Sequence, residues 1–88
     1  MFNRKKNHIS VIIRGNHDLV NFTNILKDSM KDYKISCIAD KGSTLTLANL
    51  EYKDKHHKKM IKALKEQGYV LKNLNKSTFM YELVERNL

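Results

Sequence analysis

The apolar residues of this 88-residue chain change their spacing as it runs, from every second position to every third or fourth and back, and then repeat the change. A spacing of two puts alternate side chains on one face of a strand, whereas a spacing of about 3.6 draws a stripe along a helix. The succession of the two patterns restricts the chain to folds that layer helices on a sheet.

The first alternating run is His8 to Arg14. Ile9, Val11 and Ile13 take one side and Ser10, Ile12 and Arg14 the other, the β-branched pattern of a strand near the centre of a sheet. Residues 1–7 show no apolar periodicity after Phe2 and read as a flexible basic arm, leaving 8–88 as a single domain. Gly15 stops the strand. Asn16 is placed to cap a helix in which Leu19, Phe22, Leu26, Met30 and Tyr33 recur at three- and four-residue spacing, with Asp18 favourably in the first turn.

Two further alternating runs cover 34–39 and 44–50, with Ile35, Cys37 and Ala39 on one side of the first and Leu45 and Leu47 inward on the second. Asp40-Lys41-Gly42-Ser43 between them has the length and the glycine of a hairpin loop. A second helix is expected from Asp54 to Gln67, with His57, Met60, Ile61 and Leu64 as a narrow apolar stripe and Gly68 as the left-handed residue that ends it. Tyr69–Leu74 and Thr78–Val84 are expected to close as a hairpin around Asn75-Lys76-Ser77.

The predicted order is β-α-β-β-α-β with an extra C-terminal strand. Its first six elements match the split βαβ arrangement called ferredoxin-like, an α+β class with two helices on one face of an antiparallel sheet. The expected core is Ile9, Val11, Ile13, Leu19, Phe22, Leu26, Cys37, Leu47, Ile61, Leu64 and Val70. A chain this short has room for one core, so neither a second domain nor a deep multi-residue cleft is expected. The single cysteine can form no intramolecular disulfide, and Arg4, Lys5 and Lys6 precede a strand-length apolar run rather than a signal-peptide core. No stretch approaches the roughly 18 apolar residues that cross a bilayer. A cytoplasmic protein without a membrane partner is the expectation.

The formal net charge of +8 is not spread evenly. Residues 1–14 hold Arg4, Lys5, Lys6 and Arg14 with no acid, and residues 52–65 hold Lys53, Lys55, Lys58, Lys59, Lys62 and Lys65 against Asp54 alone. Elsewhere acids slightly outnumber bases, so the whole surplus sits in two segments, and a patched surplus implies a binding surface. In the predicted topology the second helix begins at the end of the sheet where the first strand also begins, which makes the two segments neighbours.

On the second helix Lys55, Lys58, Lys59 and Lys62 fall at i, i+3, i+4 and i+7 and form one lysine face opposite the apolar stripe. Like charges at that spacing repel by about 0.2–0.5 kcal/mol per pair, and cations in the first turn oppose the helix dipole. A helix selected for stability alone would interleave glutamates. Lysine-rich helices also occur as plain solvated faces, but this arrangement fits a surface that neutralises phosphates, where lysine acts as a point charge without reading bases.

The element order is also that of the RNA recognition motif, whose sheet stacks bases on aromatic rings. The present chain departs from it there: Ile9-Ser10-Val11-Ile12-Ile13 offers Ser10 and Ile12 on its second face, and residues 41–47 carry no ring. Phe79 and Tyr81 alternate on the last strand with Tyr69 nearby, a spacing that suits packing at least as well as base stacking.

Other candidate sites fall short on spacing. His56 and His57 are neighbours about 100° apart on a helix rather than an i, i+4 pair, and no cysteine or carboxylate set completes a tetrahedron with His8 or His17. Cys37 on an apolar alternation reads as a small buried hydrophobe. Arg14-Gly15-Asn16-His17 could present amides to an anion at a helix start, on the strength of one glycine. No nucleophile elbow, phosphate-cradling loop or carboxylate pair appears, so no catalysis, cofactor or metal is expected.

Two functions follow as expectations. The first is a small basic nucleic-acid-binding accessory protein that contacts the phosphates of DNA or RNA through Arg4, Lys5, Lys6, Lys53, Lys55, Lys58, Lys59 and Lys62. The alternative is a small protein-interaction or inhibitor module, of the compactness seen in phage- or plasmid-encoded proteins. It would dock on an acidic protein surface or by edge-strand pairing through Thr78–Val84, with Phe79, Tyr81 and Leu83 as contacts, and the same edge could pair two copies as a homodimer.

Overall fold

The computed structural model describes residues 5–39, 42, 44–76 and 79–86. Strand β1 (Lys6–Arg14) is followed by helix α1 (Asn16–Ser29), strands β2 (Lys34–Ala39) and β3 (Leu45–Lys53), and a 3-10 turn (Asp54–His56) that leads into helix α2 (His57–Glu66). Strands β4 (Tyr69–Asn73) and β5 (Met80–Glu85) complete the α+β order β-α-β-β-α-β-β. Arg4, most of the expected hairpin loop at Asp40, Lys41 and Ser43, and Ser77 and Thr78 of the last hairpin lie outside the described residues.

One sheet takes all five strands in the order β2-β3-β1-β5-β4. β3 runs antiparallel to both β1 and β2, and β4 antiparallel to β5, but β1 and β5 are parallel. The sheet is therefore mixed rather than antiparallel. A hairpin partner must lie on one side of β4, and the side toward β1 is the one under the helix layer. There Leu83 is buried at 4% exposure, whereas outside β4 it would have no cover. This placement also overturns the expectation that the C-terminal strand is an edge: β5 is paired on both sides, and the edges are β2 and β4.

Alternation along the central strands makes the core. Register pairs Ile9 with Leu50, Val11 with Ala48 and Ile13 with Thr46, and these inward residues pack with Phe22, Ile25 and Leu26 of α1 and Met60 and Leu64 of α2 in one cluster. Leu45 and Leu47, expected inward, belong to the opposite face. β3 runs on to Lys53, and its buried alternation is Thr46, Ala48, Leu50 and Tyr52, because Leu50 and Tyr52 bring more apolar area to the core than Leu45 does at the far end. Cys37 is exposed rather than buried, since edge strand β2 reaches past the helix layer. Val70 lies on the open face opposite Val84 and is also exposed, while Leu19 and Ile61 only flank the core.

Two glycines set the turns at the ends of the helices. Gly15 takes φ 85° and ψ 154°, a region essentially restricted to glycine, and its N–H donates to the Thr44 carbonyl at 2.8 Å. It occupies the N-cap position in place of Asn16, which is the first helical residue, and no side chain caps α1. Gly68 ends α2 at φ 85° and accepts the Arg86 N–H at 2.6 Å, which holds the end of β5 against the start of β4. The buried Tyr69 hydroxyl donates to Asp18 Oδ1 at 2.9 Å and accepts from Asn21 Nδ2 at 2.8 Å, fastening β4 to α1. Among the described residues no helix is long and apolar enough to cross a membrane.

Candidate nucleic-acid interface

Antiparallel pairing of β1 with β3 sets the start of one strand against the end of the other. Lys6 lies opposite Lys53 in the register. The Asp54 N–H donates to the Lys5 carbonyl at 2.9 Å, and Asn7 Nδ2 donates to Asp54 Oδ1, also at 2.9 Å. Lys5, Lys6, Lys53 and Lys55 therefore share one end of the sheet, beside the first turn of α2. Strand β1 starts at Lys6, two residues ahead of the His8 start that the alternation suggests.

Along α2 the buried residues are Met60 and Leu64, and Lys58, Lys59 and Lys62 are exposed, as is Lys55 in the preceding turn. The sequence-assigned cations divide by partner. Lys6 Nζ is 3.6 Å from Glu51 Oε2 and Lys53 Nζ is 3.5 Å from Asp32 Oδ2. Among the described residues Lys5, Lys55, Lys58, Lys59 and Lys62 have no ion pair. Lys59 and Lys62 border a cleft of about 370 Å³ between the helices that is also lined by Asp28 of α1 and by Glu66 of α2, one turn beyond Lys62, so this flank meets some opposite charge without an ion pair. Arg14 lies at the far end of β1, paired with Glu82 at 2.8 Å.

Under this end a polar and aromatic cluster fixes the helix to the sheet. Tyr52, 1% exposed, has its hydroxyl 2.5 Å from His57 Nδ1, and the two rings stack at 5.9 Å between centroids with 12° between planes. Burial raises the Tyr52 hydroxyl above the usual tyrosine range; a hydrogen bond from Asn7 pulls it down, and the nearby Tyr81 and Asp54 charges push it up. His57 is thus a packing residue. Sequence reasoning missed Tyr52, whose role is legible only once β3 is extended to Lys53.

The sheet face away from the helices is built in rows. Lys34, Glu51 and His8 stand side by side, followed by Ser36, Asn49 and Ser10, and then by Ile38, Leu47 and Ile12. Ser10 Oγ donates to Asn49 Oδ1 at 2.7 Å, and His8 Nε2 is 3.4 Å from Glu51 Oε1. A groove of about 900 Å³ at the basic end is lined both by residues of these polar rows, Lys34 and Asn49 among them, and by Tyr52, His57 and Tyr81 from the helix side. No single segment shows this groove. It arises because β2, β1 and the start of β5 bring distant residues to the same end.

Three of the four histidines have separate partners: Glu51 for His8, Asn21 for His17 at 3.2 Å, and Tyr52 for His57. Among the described residues no group of three or more His, Cys, Asp or Glu side chains could hold a metal ion. No family of known proteins, no characterised protein and no solved structure matches this chain.

Proposed function

We propose that this protein is a small basic nucleic-acid-binding accessory protein, without catalysis of its own, that holds phosphates along the lysine face of α2 and at the basic start of β1. The observation that carries this reading is that Lys58, Lys59 and Lys62 on α2 and Lys55 in the 3-10 turn before it all stand exposed with no ion pair among the described residues. A helix gains nothing in stability from such a row, and polyanions gain a continuous line of counter-charge. Arg4 extends the same basic segment in sequence. The fold is read as a ferredoxin-like unit in which β5 has displaced the fourth strand outward, and the inversion leaves the basic end intact.

The test is a salt titration of binding to mixed-sequence DNA and RNA. With roughly four phosphates engaged, affinity falls with a log-log slope of about −2.8 to −3.6. Changing Lys55, Lys58, Lys59 and Lys62 together to Gln flattens that slope without unfolding the domain. Unchanged binding by this variant removes the helix face as the site.

Edge strand β2 favours a second reading, a protein-interaction module. Its Ser36, Cys37, Ile38 and Ala39 are exposed on both faces, and Ile38 is 62% exposed, so its outer edge is available for strand addition by an acidic partner or a second copy. Absence of nucleic-acid binding near physiological salt, with saturable binding of an acidic protein, selects this reading.

A further inference from the structure

We propose that the sheet face turned away from the helices packs against the same face of a second copy of this chain. Strand pairing sets Ile38, Leu47 and Ile12 side by side on that face, with Met80 and Val84 of β5 and Val70 of β4 beyond them. Outward positions of a sheet covered on one side are ordinarily polar. Here Ile38 is 62% and Val70 38% exposed, and Ile12, Leu47, Met80 and Val84 are half-buried, so an apolar band crosses all five strands. Contact through this face stacks two sheets, unlike strand addition at the β2 edge, which joins them side by side.

The face is complementary to itself. In the order β2-β3-β1-β5-β4 the central strand is β1, with Ile38 on β2 and Val70 on β4 at opposite margins. Ile38 is the most exposed large apolar side chain among the described residues and forms a ridge, whereas Val70 and Val84 border a shallow hollow of about 540 Å³ with Lys72 and Arg86. A two-fold axis along β1 lays β2 of each copy over β4 of the other and so brings each ridge to the other copy's hollow. Five strands about 4.8 Å apart and a nine-residue β1 rising about 3.4 Å per residue span roughly 24 Å by 30 Å, about 700 Å² per copy, close to the roughly 800 Å² per partner of a stable complex. Charge selects a second copy over a polyanion. Arg14 is bonded to Glu82 at 2.8 Å and Lys72 is the cross-strand neighbour of Glu82, while the lysines without ion pairs gather on α2 and its leading turn. In the dimer both basic ends point the same way, so their repulsion opposes pairing and salt screens it.

Sedimentation equilibrium of the nuclease-treated protein is expected to show a monomer–dimer equilibrium that tightens as salt is added. Ile38→Lys and Val70→Glu each occur twice in the dimer, and each alone weakens it by about 10-fold or more. Circular dichroism stays unchanged, because both side chains are exposed in the monomer. Combined, the two substitutions recover pairing, since the new cation of each copy meets the new carboxylate of the other; within one copy the positions lie at opposite margins of the sheet and cannot meet. A monomer at millimolar concentration and high salt, or a dimer that Val70→Glu leaves unchanged, overturns the proposal, and the second result moves self-association to the β2 edge. A dimer that dissociates as salt is added also overturns it, because residual polyanion would then be what bridges the copies.

Discussion

The hydroxyl of Tyr52 and Nδ1 of His57 lie 2.5 Å apart, joining the end of β3 to the first residue of α2. With a neutral imidazole the phenol donates, and its oxygen accepts from Asn7. The connection aims α2, because a helix anchored at its first residue on the sheet has its lysine face fixed relative to the groove. Tyr52→Phe keeps the stacked ring and removes the bond. The expected cost is about 1–2 kcal/mol, since both His57 and Asn7 lose a partner in a partly dry site. Urea unfolding measures it, and a change within error would show that the contact contributes nothing to stability.

Neutralising the lysine face is expected to have the opposite sign on stability. Lys55–Lys58, Lys55–Lys59, Lys58–Lys62 and Lys59–Lys62 are like-charge neighbours at three- and four-residue spacing, each repelling by about 0.2–0.5 kcal/mol at low salt. The fourfold Gln variant therefore unfolds at equal or higher urea concentration than the parent in low salt, and the difference shrinks as salt is added. A variant that is less stable at all salt concentrations would mean that the lysine stems pack on the helix layer, and its loss of binding could not be assigned to charge.

The order of elements is legible in the sequence because each element is a local pattern. Ile9, Val11 and Ile13 alternate without interruption, and Phe22 and Leu26 recur at helical spacing, so β1 and α1 need no tertiary information. The features that are not legible are set by distant partners. The phase of β3 is misleading in sequence because Leu45 and Leu47 look apolar and Thr46 and Ala48 look neutral; only pairing with β1 turns Leu50 and Tyr52 inward. The position of β5 between β1 and β4 is hidden for the same reason, since a hairpin pattern fixes which strands pair but not which side of the sheet receives them. The lysine face is visible on a helical wheel. The groove is not, because its lining comes from β1, β2, β3 and β5, which only the pairing of the strands brings to one end.

Cys37 provides a check on the edge of the sheet. It lies mid-strand in β2 with its side chain exposed, beyond the cover of the helices. A disulfide thiol reagent is expected to label it fully in the folded protein, at a rate close to that in urea and without loss of structure by circular dichroism. Labelling that requires denaturant would return Cys37 to the core, and would imply that α1 or α2 sits nearer to β2 than described.

Alkaline pH should loosen the fold through two buried phenols. Burial is the main cause that lifts the hydroxyls of Tyr52 and Tyr69 above the ordinary tyrosine value of 10.0, and the neighbouring Asp54 and Asp18 carboxylates act in the same direction. The folded protein then keeps these protons at pH values where the unfolded chain has released them. Stability is fully present below about pH 10 and falls as pH rises through the raised folded values, because the native state binds more protons across that window. Lysine deprotonation in the same range relieves like-charge repulsion and partly masks the decline. Comparing the parent with Tyr52→Phe and Tyr69→Phe removes that background, since all three share the same lysines. Each variant is expected to lose less stability than the parent between about pH 9 and about pH 11, as read from urea midpoints and from the late phase of phenolate absorbance. Parallel pH profiles for parent and variants would show that neither hydroxyl holds its proton longer in the folded state than in the unfolded chain.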